Sequence, residues 1–120
     1  MSKLQKPRAW YGIWTALITP LKSDLSLDNV ALAKLIEEQI SGGITGLVIA
    51  GSTGEGSLLP AKTWETLLAK SCEIVADRIP LVAGLGIGGT ETCLHHIKLA
   101  RDAGFDGVLA STPAYIKAPQ

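Results

Sequence analysis

Apolar residues along this chain fall into short unbroken runs, separated by longer stretches with helical spacing. Residues 13–19 form the first run, closed by Pro20, and predict a strand. Residues 28–41 place Leu32, Leu35, Ile36 and Ile40 on one side of a helix, and Gly42 with Gly43 supplies the stop. Residues 46–50 predict a second strand. Pro60 stands at the expected first position of a second helix, whose apolar face is Trp64, Leu67, Leu68, Cys72 and Val75. Residues 80–85 predict a third strand. Thr90 is the expected N-cap of a third helix, which carries Leu94, Ile97 and residues 100–103 up to Gly104. Residues 107–111 predict a fourth strand, ended by Thr112 and Pro113.

The predicted strands are apolar at nearly every position instead of alternating. Strands covered on both faces read this way, so they are expected to be parallel and flanked by helices. The order is then β-α-β-α-β-α-β, which fits either an open doubly wound sheet or part of a (β/α)8 barrel. A whole barrel takes about 250 residues. The 120 residues here supply four strands and three helices, roughly half of one.

Composition narrows the function classes. Eleven basic and eleven acidic residues balance, with no run of one sign, which argues against a nucleic-acid or anionic-membrane surface. No apolar run approaches a membrane span, and a cytoplasmic protein is expected. Apolar residues at 47% are enough for a packed core. Cys72 and Cys93 stand apart and are expected to be reduced thiols on helices.

In either architecture, ligands bind at the C-terminal ends of the strands. The second such loop, Gly51-Ser52-Thr53-Gly54-Glu55-Gly56, holds two adjacent hydroxyls between glycines. Its free N–H groups and the Ser52 and Thr53 hydroxyls suit a carboxylate or phosphate. An ordinary tight turn has the same composition. Glu55 is expected to hold backbone N–H groups, since a carboxylate facing an anion site would repel its ligand. The third loop has Gly84, Gly86 and Gly89 in a G-x-G-x-x-G pattern, but no acid follows at the end of the next strand, which argues against a dinucleotide. His95 and His96 point about 100° apart on a helix, too far to share an ion, and are expected on a solvated face. Trp10 and Trp14 fit either the lower end of a barrel or an interface.

Four segments in register are similar to the dihydrodipicolinate synthase and N-acetylneuraminate lyase family. They are Gly12 with Ala16, Thr19 and Pro20; Gly51 to Glu55; Pro80 to Gly84; and Thr112 to Tyr115. The resemblance covers the chain from about residue 11 onward and implies the first half of a (β/α)8 TIM barrel, with residues 1–120 the N-terminal portion of a single barrel domain. It implies a pyruvate-dependent class I aldolase. Pyruvate forms a Schiff base with a lysine, and the resulting enamine attacks a small aldehyde. Thr53 and Ser52 would hold the pyruvate carboxylate, and Ser52 and Tyr115 would join a proton relay. The chemistry calls for no cofactor and no metal. The Schiff-base lysine is expected beyond Gln120 and not at Lys117, so the 120-residue chain alone is expected to be inactive. The full-length protein is expected to be a homo-oligomer, a dimer or tetramer.

Condensation of pyruvate with L-aspartate 4-semialdehyde, in lysine and diaminopimelate biosynthesis, is the first expectation for the reaction. A sialic-acid lyase or 2-keto-3-deoxy sugar-acid aldolase is the second, because Ser52 and Ala114 depart from the Thr and Tyr of many synthases. A third, of another class, is a non-catalytic half-barrel that pairs with another chain. Some members of the family bind lysine as an inhibitor. The positions implied for that cleft read Ala61, Trp64 and Ala114 here, so no strong inhibition by lysine is expected.

Overall fold

The computed structural model describes residues 10–86, 88–113, 116 and 119. Four parallel strands, β1 (Trp14–Ala16), β2 (Gly46–Ile49), β3 (Leu81–Gly84) and β4 (Gly107–Leu109), lie in the order β1-β2-β3-β4. Helices α1 (Asn29–Ser41), α2 (Ala61–Val75) and α3 (Thr90–Ala103) connect them. Each strand lies beside the next one in sequence, with pairs such as Trp14–Gly46, Val48–Val82 and Val82–Gly107. A doubly wound sheet would reverse direction at a switch point. This continuous winding is that of a half barrel.

Period-two alternation sorts the strand residues between two faces. Leu47, Ile49, Leu81 and Ala83 join the buried core with Leu32 and Ile36 of α1 and Leu67, Leu68 and Val75 of α2. Thr15 points the same way, its hydroxyl donating to Gln39 Oε1 on α1 at 2.7 Å. Trp14, Ala16, Val48, Val82, Gly107 and Leu109 fall on the opposite, concave face. That face is open, and Ile18 and Leu109 are more than half exposed on it.

Local signals explain most boundaries. Asp28 caps α1, its Oδ1 accepting from the Ala31 N–H at 3.0 Å. Gly43 takes a positive φ of 85° just past the helix end, and Gly104 one of 102° at the end of α3. Two expected starts move by one residue. Pro60 caps α2 from outside with an extended ψ of 145°, and α2 begins at Ala61. Gly89, not Thr90, is the N-cap of α3, and no side chain caps that end. The outer strands are shorter than expected because β1 and β4 each have a ladder on one side only. Leu94 and Ile97 were placed on an apolar helix face, yet they are 60% and 38% exposed. Helix α3 packs on α2 and β4, and its periodicity marked an apolar stripe without fixing what covers it.

Both tryptophans lie at the lower end of the sheet, where Trp10 is still exposed. Their rings stack at 5.2 Å, and a side chain at Gly46 or Gly107 would run into Trp14 or Trp10. The indoles fill the concave face at the strand starts.

Candidate functional site

The Gly51–Gly56 loop leaves the C-terminal end of β2 through Ala50, which has a positive φ of 57°. The Gly56 N–H donates to the Gly51 carbonyl at 3.1 Å, and the Glu55 N–H donates to the Ser52 carbonyl at 3.1 Å. Glu55 is left-handed, with φ 54°. A six-to-one bond, a five-to-two bond and a left-handed fifth residue are the arrangement that closes the end of a helix. Here it closes a single turn, Ser52-Thr53-Gly54. The N–H groups of Ser52, Thr53 and Gly54 have no backbone partner among the described residues. Ser52 and Thr53 are both exposed. Gly54 is buried, so the turn offers at the rim the Ser52 and Thr53 hydroxyls and N–H groups that have no backbone partner among the described residues, a donor set that suits a carboxylate.

Three contacts hold this turn in place. A Cβ on Gly56 would lie 1.9 Å from the Ala50 carbonyl oxygen, and one on Gly84 would lie 2.3 Å from the same atom. Gly84 is therefore required by close backbone approach. Gly89, in the same G-x-G-x-x-G pattern, has nothing within 4 Å of its Cβ position. The third contact was not read from the sequence. The buried Thr19 hydroxyl donates to the Gly54 carbonyl at 2.6 Å, tying the chain after β1 to the turn after β2. Thr19 stands at a strand end and in the Gly12-to-Pro20 segment of the resemblance, and neither signal names its partner.

Ser52 and Thr53, neighbours in sequence, both stand exposed on the turn. Tyr115, Ala114 and Lys117 lie outside the described residues. Glu55 departs from expectation: its carboxylate is exposed and caps no backbone N–H, and its place in the turn rests on backbone conformation. His96 also departs. His95 is exposed, but His96 stacks on Trp64 with centroids 4.6 Å apart, because the 100° between neighbours turns it toward α2. Trp64 itself is buried in the core.

Cys72 is half-buried, and burial, with help from Asp106 and Asp77, pushes its thiol up to about 11. It stays protonated at neutral pH and is no nucleophile. No strand among the described residues carries a lysine. Among those residues, no group of three or more His, Cys, Asp or Glu is placed to hold a metal ion, and no helix is long and apolar enough to cross a membrane.

The family model described as the Dihydrodipicolinate synthetase family matches residues 9–120. A 4-hydroxy-tetrahydrodipicolinate synthase from Xanthomonas axonopodis pv. citri is 41% identical over 109 residues, which is 91% of this chain and 36% of that protein. The structure of the 4-hydroxy-tetrahydrodipicolinate synthase from Methylacidiphilum fumariolicum SolV superposes with a TM-score of 0.83 at 38% identity, covering 87% of this chain and 34% of that one. A prophage protein from E. coli K12, solved in complex with pyruvate, superposes with a TM-score of 0.87 at 30% identity, covering 92% of this chain and 37% of that one. The chain thus spans about a third of the length of the relatives it matches.

Proposed function

This chain belongs to the dihydrodipicolinate synthetase family, and from that premise we propose that it forms the carboxylate-binding part of a pyruvate-dependent class I aldolase. The observation that carries the reading is the Ser52-Thr53-Gly54 turn, held at the C-terminal rim with its hydroxyls exposed and its N–H groups without a backbone partner among the described residues. The Thr53 hydroxyl and the N–H groups of the turn bind the pyruvate carboxylate by charge-assisted hydrogen bonds. The adjacent Ser52 hydroxyl contributes to that binding and relays protons, with Tyr115 as the next member of the relay. The Schiff-base nucleophile of this reading is a lysine on a later strand of the full-length barrel.

In the proposed reaction, the lysine amine adds to the pyruvate ketone and water leaves. The imine loses a methyl proton to give an enamine, whose carbon attacks the aldehyde carbonyl, and hydrolysis frees the lysine. L-Aspartate 4-semialdehyde is the proposed aldehyde, supported by the names of the synthases among the relatives. A homo-oligomer, a dimer or tetramer, is the proposed assembly.

Borohydride reduction of the full-length protein with pyruvate tests the reading. One reduced pyruvate on a single strand lysine is expected, and no mass gain would refute the mechanism. Turnover of L-aspartate 4-semialdehyde over sugar-derived aldehydes is the expected outcome of an aldehyde panel. The reverse preference would move the protein to the sialic-acid lyase or sugar-acid branch.

A further inference from the structure

We infer that Thr19 is a positioning residue for pyruvate, acting through the turn that carries Ser52 and Thr53. The inference rests on the carboxylate reading above. The turn is made of one residue layer, and its two internal hydrogen bonds fix its curvature but not its place relative to the rest of the barrel. Its placement comes from contacts with neighbouring chain. Two of these, at Gly56 and Gly84, are van der Waals contacts against Ala50 on the β2 and β3 side. On the β1 side, Gly54 lies against the backbone. A Cβ there would stand 2.9 Å from the Leu17 carbonyl oxygen and 3.2 Å from Thr19 Oγ1. Only that close approach lets the Thr19 hydroxyl reach the Gly54 carbonyl at 2.6 Å, across 35 residues of sequence.

The bond is buried, so water cannot replace it freely. Loss of the hydroxyl leaves the Gly54 carbonyl without its partner, and the turn relieves this by swinging outward toward solvent. The Gly54 carbonyl belongs to the residue that follows Thr53. A swing of this kind therefore moves the Thr53 hydroxyl and the N–H groups beside it together, away from the carboxylate position. A displacement near 1 Å at a positioning group is enough to cost binding and rate. In the proposed reaction the pyruvate carboxylate is what this turn binds, so the effect on binding is read in the pyruvate KM.

The test uses Thr19→Val and Thr19→Ser in the full-length protein. Valine keeps the shape and removes the donor. The expected result is a rise of about tenfold in the pyruvate KM, an unchanged aldehyde KM, and restoration by serine. Hydrogen exchange at the Glu55 and Gly56 amides should speed up in the valine variant, while the Leu47 amide, which bonds the Pro80 carbonyl, keeps its protection. A merely structural role would loosen Leu47 as well. An unchanged pyruvate KM in Thr19→Val would overturn the inference. If the valine variant does not fold, Thr19→Ser against Thr19→Ala separates hydroxyl from methyl, and equal losses in the two would overturn it. A wild-type protein that does not bind pyruvate refutes the carboxylate reading instead, and the Glu55 and Gly56 amides then decide the positioning role alone.

Discussion

The two ends of the sheet use glycine for different purposes. At the strand starts, Gly46 and Gly107 make room for the rings of Trp14 and Trp10. At the strand ends, Gly56 and Gly84 make room for the backbone carbonyl of Ala50. Side chains at the lower end can shift when a neighbour grows, whereas the Ala50 carbonyl at the end of β2 is backbone pressed against both glycines. The end of β2 is thus the stiffer of the two, and it leads into the turn that carries the two hydroxyls of the candidate site.

Substitutions that add one methyl group at each end would break this comparison if they had equal effects. Gly56→Ala puts a carbon 1.9 Å from a carbonyl oxygen, with no side chain to move aside. A loss above about 4 kcal/mol is expected in urea unfolding, the range of severe core damage. Gly84→Ala should fall close behind. Gly46→Ala meets the Trp14 ring first, at 2.5 Å, and should cost about 1–3 kcal/mol. The double variant with Trp14→Leu should recover part of that loss. Equal costs at Gly46 and Gly56, or no recovery, would mean that the ends do not differ in stiffness.

A smaller effect comes from the surface link between α1 and the end of α2. Arg78 donates to both Glu37 carboxylate oxygens and to the carbonyls of Ile74 and Val75. The hydrogen bonds from Arg78 hold the Glu37 carboxyl below its ordinary value of 4.5. A lowered folded value means the contribution is fully present above the unfolded pKa and is lost as pH falls through the folded one. The stability gap between wild type and Glu37→Gln should therefore hold at neutral pH and close in acid below about pH 4.5. A gap independent of pH would exclude the ion pair as its source.

No strong inhibition is expected from free lysine. Trp64 is in the core against His96, so it leaves no open wall for an effector at that position. Half-inhibition of the full-length enzyme below about 1 mM lysine would contradict this.

The central part of the fold was readable because β2 and β3 are paired on both edges and buried at every position but Val48, and buried strands are apolar throughout. The outer strands were over-read, since Ile13 and Ile18 look like core in sequence but are exposed beside an open face. A small antiparallel contact between Leu21 and Leu27 was missed, because it depends on Asp24 accepting from Ser26 and on a left-handed Leu25. At the site, the paired hydroxyls of Ser52 and Thr53 were legible from glycine spacing. The tie from Thr19 was not, because it joins residues that only the parallel β1–β2 register brings together. His96 was misjudged because a helix face is solvated or packed according to its neighbours.

The most direct test of the account is the pyruvate KM of Thr53→Val in the full-length enzyme, measured beside the aldehyde KM. Loss of one charge-assisted hydrogen bond, worth about 1.5–3 kcal/mol, predicts a rise of about ten- to hundredfold for pyruvate and none for the aldehyde. An unchanged pyruvate KM would remove Thr53 from the site and contradict the account.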